Sequence, residues 1–336
     1  MKKKALLLVN IGTPDSPEVK DVRRYLTSFL NDPRVIDIPS LLRMLLVNLI
    51  IIPFRVRNSS KLYKQLWTDQ GSPLLVILES LSQKLQKKVD ENTEVIPAMR
   101  YGNPSLREAL NYIRDEGFEE VFVFPLFPQY ASSTTGSVFD FVMKKMKKWE
   151  VIPSVRLMHQ YYNDQNFLNA FAHRIRPYKP WSYDHIIFSY HGLPLRQINK
   201  THPGIQEKVC LCDVELPAHG TSCYKATCYD TTRLLAEKLD LKPEQYSVSF
   251  QSRLSKNWLK PFTDETLINL ARQGKKRVLI VAPAFVADCL ETTIELGVEY
   301  DELFKEHGGE ELQLVESLND DDNWVKAIVN MTGSTN

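Results

Sequence analysis

Two patterns occur twice in this chain, in the same order, and they limit what it can fold into. Val9-Asn-Ile-Gly12-Thr-Pro14 is matched by Ser189-Tyr-His-Gly192-Leu-Pro194, each the end of an apolar run followed by Gly-x-Pro. Pro125-Leu-Phe127, six residues and Thr134-Thr135 are matched by Pro283-Ala-Phe285, six residues and Thr292-Thr293. Repetition at this scale predicts two similar α/β lobes, in keeping with a length of 336 residues. The break is expected at Val151-Ile-Pro153, giving lobes 1–150 and 151–336, with a C-terminal helix in the second. Ligands of open α/β sheets gather at the carboxyl ends of the strands, so the expected cleft lies between the lobes.

The apolar runs read as buried parallel strands: 5–9, 95–99, 120–127, 186–188 and 276–283. Helical patterns follow from about Pro17, over 72–89 and over 105–116, with Glu18 and Asp21 placed to meet the first helix dipole. The first turn is not G-x-G-x-x-G, so a nicotinamide or flavin dinucleotide is not expected. Lys plus Arg number 42 against 41 Asp plus Glu, so no net field favours nucleic acid. Residues 5–9 are too short for a signal peptide, which leads to an expected cytoplasmic location with reduced thiols.

Residues 41–54 are apolar but shorter than the ~20 residues of a spanning helix, and contain Arg43, Asn48 and Pro53. Arg55, Arg57, Lys61 and Lys64 follow. The segment is either a core helix or an exposed lip suited to a greasy carboxylate ligand and to peripheral contact with the inner face of a membrane.

His191 closes the 186–188 strand, where a neutral imidazole has one lone pair for a metal or a proton. Asp288, Glu291, Glu295 and Glu299 climb one side of a helix after the 276–283 strand, with no Lys or Arg between Arg277 and Lys305. Uncompensated like charge of this kind points to Glu291, in the first turn, as a functional carboxylate. A His on one lobe facing a carboxylate on the other suits a divalent cation or proton removal. Four of the five cysteines, Cys210, Cys212, Cys223 and Cys228, crowd into nineteen residues. In a reducing compartment they point away from disulfides; unliganded thiols and a Cys₄ zinc site are the readings left open, and the short Cys210-Leu-Cys212 fits zinc knuckles poorly.

Over nearly its whole length the sequence resembles the ferrochelatases. The likeness rests on Asn10-Ile-Gly-Thr-Pro, on Tyr63 with Gly71-Ser-Pro73, on Arg100-Tyr101 and on Phe127-Pro-Gln-Tyr-Ala-Ser-Ser-Thr-Thr-Gly136. It continues in Ser189-Tyr-His-Gly-Leu-Pro, Gln251-Ser-Arg with Trp258, Asp288-Cys-Leu-Glu-Thr and Glu316-Ser-Leu-Asn319. The resemblance implies two Rossmann-like lobes around a porphyrin cleft, insertion of Fe²⁺ into protoporphyrin IX as the last step of haem synthesis, and His191 and Glu291 as the active-site pair. It places porphyrin contacts at Ile11, Arg55, Tyr63, Tyr130 and Trp258, with Arg55 meeting a propionate. Some members carry a second His two residues before the catalytic Glu; Cys289 stands there in this chain. Some hold a 2Fe–2S cluster, which the four cysteines are then expected to ligate. Alternatives are a chelatase for another metal or for coproporphyrin, and a non-catalytic tetrapyrrole-binding protein.

Overall fold

The computed structural model describes residues 3–202, 204, 205 and 209–333. The chain divides into two compact units, residues 1–160 with 319–336, and residues 161–318. The expected break at 150/151 therefore falls ten residues later. The C-terminal helix, Asp322–Thr332, belongs to the first unit and not the second. Its apolar face, with Trp324, Val325, Ile328 and Val329, is buried, and at its start Lys84 lies 3.1 Å from Asp320 and Ser80 donates to Asp320 at 2.6 Å.

Each unit is built on one four-stranded parallel sheet. The first contains β1 (Lys4–Gly12), β2 (Thr93–Tyr101), β3 (Glu120–Pro125) and β4 (Ser154–Leu157), in the order β2-β1-β3-β4. The second contains β5 (His185–His191), β6 (Tyr246–Gln251), β7 (Arg277–Val281) and β8 (Glu311–Leu314), in the order β6-β5-β7-β8. Adding four to each strand number turns one order into the other, which is what the repeated motifs predict. Even the loop after the second strand repeats: Met99 N–H donates to Pro104 O at 2.6 Å, and Phe250 N–H to Pro261 O at 2.8 Å.

The central strands β1 and β5 are flanked by strands and covered by helices, so both of their faces must be apolar. In β1, Ala5, Leu7 and Val9 pack on the helices Leu106–Asp115 and Ser137–Met146, while Leu6 and Leu8, pointing the other way, are just as buried. In the second unit Ile187, Val278 and Ile280 pack on the helix Thr263–Arg272 and on Leu296 and Phe304. Each fully buried Leu, Ile or Phe contributes about 1.5–3 kcal/mol, so these sheets are rigid platforms for whatever stands at their carboxyl ends.

Turn chemistry then fixes the strand ends. Gly12 has φ +125°, and a Cβ there would fall 1.6 Å from Tyr101 O, so only glycine lets β1 pass β2. Ser105 caps the next helix in a reciprocal box with Glu108.

Residues 41–54 form an exposed lip. Ser40–Leu45 and Ile52–Leu66 are α-helical and Leu46–Ile51 between them is π-helical. Leu41, Leu42, Met44, Leu45, Leu49, Ile50 and Phe54 are 48–83% exposed, against 0% for Val47 and 1% for Ile52. The buried-core alternative thus fails for all but a thin stripe. Arg43 is buried because its guanidinium donates to the carbonyls of Ile36 and Ile38. Among the described residues no helix is long and apolar enough to cross a membrane.

Candidate active site

His191 is the last residue of β5, half-buried at the carboxyl edge of the second sheet. Its Nδ1 lies 2.6 Å from Gly192 O. A carbonyl can only accept, so Nδ1 carries a proton, and in the neutral ring the lone pair is then on Nε2. The backbone at this point is pinned on two sides. Gly192 N–H donates to Gln251 O at 2.8 Å, and the Tyr224 hydroxyl donates to His191 O at 3.0 Å. A Cβ on Gly192 would meet Gln251 O at 2.8 Å and Trp258 at 3.3 Å, which is why a glycine follows the histidine. Trp258 and Phe285 flank the imidazole, with ring centroids 6.4 and 6.5 Å away.

The acidic segment is helical, as its charge pattern implied, but of an unexpected kind: Glu291–Glu299 is a π-helix that runs on into the α-helix Tyr300–Glu306. Such widened turns concentrate at functional sites because they re-aim side chains at a cost in hydrogen-bond geometry. Asp288, just before it, is taken up by structure, accepting from Thr292 Oγ1 at 3.1 Å and Ser317 N–H at 3.2 Å. Glu299 is exposed, so it is a solvated face. Glu291 is half-buried beside the thiol of Cys289.

Glu295 is the residue that sequence reasoning undervalued. Ser252 donates both its N–H, at 2.9 Å, and its hydroxyl to this carboxylate, and the Tyr300 hydroxyl donates at 3.0 Å. Burial raises its pKa; the hydrogen bonds from Ser252 and Tyr300 and the nearby His191 oppose that, and the Glu291 charge adds to it. Ser252 holds its donors in place with φ +61°, a left-handed conformation that costs energy in a non-glycine residue. The signal available beforehand was the four-residue step from Glu291, together with the serine of Gln251-Ser-Arg.

His191 and Glu291 do not belong to different lobes. Both lie in the second unit, residues 161–318, which corrects the expectation of a histidine facing a carboxylate across two lobes. The physical reason is that strand ends of one parallel sheet already sit side by side: β5 pairs directly with β7, whose chain leads to Glu291. Trp258 is half-buried in the same unit. The remaining residues with an expected role are in the first unit. Ile11 is half-buried at the end of β1, Arg55 is exposed on the lip helix, Tyr63 is buried edge-on to Tyr25 and Trp67, and Tyr130 stacks on His159 at 4.5 Å.

All four clustered cysteines are buried, between 0 and 6% exposed, and none is in a disulfide. The Cys212 thiol hydrogen-bonds with Cys223 and with Cys210, and Cys228 lies within electrostatic range of it. Hydrogen bonding from Cys212 lowers the Cys223 pKa, whereas burial raises Cys228. Burial pushes the Cys210 thiol up, and the hydrogen bond with Cys223 together with burial pushes Cys212 up; the nearby Lys225 ammonium opposes both shifts. Convergent soft donors beside a cation suit a metal centre of net negative charge. Sequence reasoning missed two imidazoles at the same place. His219 Nε2 is 3.3 Å from Cys210 Sγ, and the donor atoms of His202, Cys210 and His219 all lie within 4.8 Å of one another.

The chain is similar to known proteins. A family model described as Ferrochelatase matches residues 3–335. A protein named Ferrochelatase from Coxiella burnetii (strain Dugway 5J108-111) is 40% identical over 331 residues, 97% of this chain and 92% of that one. One of the same name from Legionella pneumophila (strain Paris) is 39% identical over 334 residues, covering 97% of each. Among solved structures, SirB from Bacillus subtilis with Fe³⁺ aligns with 98% of this chain and 94% of its own at a TM-score of 0.57. Its 12% identity means that it speaks for the fold alone. The chain belongs to the ferrochelatase family.

Proposed function

We propose that this chain, an enzyme of the ferrochelatase family and hence a metal-chelating lyase that inserts iron into a porphyrin for haem synthesis, does so with His191 and Glu291 at the carboxyl edge of the second sheet. Porphyrin metallation removes two pyrrole protons and bends a flat ring so that its nitrogen lone pairs meet Fe²⁺, the second substrate. His191 and Glu291 divide proton removal and iron delivery between them. Glu295 sets a carboxyl beside His191 and is itself held by Ser252 and Tyr300. The observation that carries this reading is the donation of His191 Nδ1 to Gly192 O, which makes Nε2 the ligand-facing nitrogen of the neutral ring, with the half-buried Glu295 carboxyl close by.

Ile11, Arg55, Tyr63, Tyr130 and Trp258 are the proposed porphyrin contacts, with Arg55 on a propionate. Protoporphyrin IX is the proposed ring, because an exposed apolar lip suits a substrate with fewer carboxylates than coproporphyrin. An anaerobic assay with Fe²⁺ and each porphyrin tests this: faster turnover of protoporphyrin supports the assignment, and faster turnover of coproporphyrin reverses it. The same lip supports weak, reversible membrane contact from the cytoplasmic side. Replacing Leu45, Leu49 and Ile50 by Ser should reduce co-sedimentation with liposomes and leave unfolding unchanged; unaltered sedimentation would remove the lip from that role.

Cys210, Cys212, Cys223 and Cys228 are the proposed ligands of a 2Fe–2S cluster. Their burial, mutual contacts and the adjacent Lys225 fit that group. When bound it supplies folding energy to the insertion and no redox step to iron insertion. Protein purified anaerobically should contain about two iron and two sulfide per chain; Cys212→Ser should lose both, and Cys289→Ser should keep them.

A further inference from the structure

The two imidazoles beside Cys210 belong to neither the strand-end site nor the four-cysteine set. His202 is 2% exposed, Cys210 is 6% exposed and His219 is half-buried. The two rings meet edge-on at 87° with centroids 5.4 Å apart, which lets a nitrogen of each approach a common point. Zinc–sulfur and zinc–nitrogen bonds of about 2.3 and 2.05 Å at a tetrahedral angle put the two donors about 3.5 Å apart. The observed separation of Cys210 Sγ from His219 Nε2 is 3.3 Å. The full triad falls within the 4.8 Å span given above, the spacing of three ligands around one small ion.

We propose that His202, Cys210 and His219 form a binding site for a single divalent transition-metal ion of the zinc class, filled in chains where Cys210 is not engaged by an iron–sulfur cluster. Two neutral imidazoles and one thiolate are a borderline-soft set of the kind that takes Zn²⁺ or Co²⁺ and rejects Mg²⁺ and Ca²⁺. Binding breaks the S–H bond of Cys210 and releases its proton to solvent. The half-buried side at His219 leaves the fourth position to water. The insertion is then a place where two metal species compete for one sulfur. The proposal shares only Cys210 with the cluster reading, and either can fail alone.

The test is anaerobic titration of the full chain, expressed under iron limitation and stripped with chelator, using Co²⁺ as the probe. The parent and the double variant Cys212→Ser/Cys223→Ser, which leaves the triad intact, should each bind one Co²⁺ with the visible bands of a tetrahedral thiolate site. His202→Ala and His219→Ala should each weaken binding by ~100-fold or more, since even outer partners of a ligand cost 10–100-fold. His219→Cys, which keeps a donor in place, should restore binding and strengthen the sulfur-to-metal charge-transfer band. Unweakened binding in the alanine variants overturns the triad, as does loss of binding in the double serine variant, which would mark a four-cysteine site. Failure of the His219→Cys rescue also overturns it. Iron and sulfide analysis of iron-replete parent protein decides the cluster separately.

Discussion

In the first unit, Asp32, Arg100, Tyr101 and Ser137 close on one another at the sheet's carboxyl edge. Arg100 lies 2.7 Å from Asp32, and both hydroxyls donate to the same carboxylate at 2.7 and 2.6 Å. In the second unit the corresponding place holds His191, Ser252, Glu295 and Tyr300. The repeat aligns Ile11 with His191 through the glycine that follows each, and Ser137 with Glu295, each twelve residues after its Pro. Burial pushes the Asp32 carboxyl up, but the hydrogen bonds from Ser137, Arg34 and Tyr101, with the Arg100 charge, carry it below the ordinary range. Glu295 has hydroxyls and an imidazole but no guanidinium, and its pKa stays raised. One scaffold thus carries a network compensated by a guanidinium and one that is less fully compensated.

The sharpest way to break this contrast is to take away the compensation in the first unit. Asp32→Ala removes the buried carboxylate that Arg100, Tyr101 and Ser137 share and should lower stability by about 3–5 kcal/mol in denaturant unfolding. A loss below about 1 kcal/mol would mean that the network is not structural. Next in size, Glu291→Ala should reduce kcat by ~10² or more with unfolding unchanged, the scale of a lost proton-transfer group. Near-normal turnover removes Glu291 from the chemistry. Smaller still is Glu295→Gln. A carboxyl whose folded pKa is raised gives stability that is present at low pH and lost as pH rises past its ordinary value of 4.5. The amide never ionises, so the variant should match the parent below about pH 4 and exceed its thermal midpoint near about pH 8. An equal or lower midpoint near pH 8 would show that Ser252 and Tyr300 compensate Glu295 fully. Smallest, Ile11→Val on the first-unit counterpart of His191 should cost about 0.5–1.5 kcal/mol and spare the proton-transfer step.

Much of this was legible in the residues. The apolar runs of β1 and β5, the Gly-x-Pro stops and the repeated motifs were enough to draw two matching parallel sheets, because continuous burial leaves an unmistakable pattern. The placing of His191 at the end of β5 and of Glu291 in a helix after β7 was visible too. What the sequence concealed is whatever depends on exact reach. The acidic residues at 288, 291, 295 and 299 look equivalent on a helical wheel, yet the π-helix exposes Glu299 and ties Glu295 to Ser252, while Asp288 caps Thr292. Ser252 gains its role from a left-handed backbone that no serine announces. His202 and His219 are far from each other in sequence and meet only because the insertion folds back on Cys210. The C-terminal helix joins the first unit because position along a chain does not decide what a helix packs against.

The central claim is that the chemistry belongs to the second unit's strand-end histidine. It is tested most directly by the anaerobic kcat for Fe²⁺ insertion into protoporphyrin IX by His191→Ala, with unfolding measured on the same preparation. The account predicts a fall of ~10² or more with stability within about 1 kcal/mol of the parent. Turnover close to that of the parent, in a variant that remains folded, would contradict it.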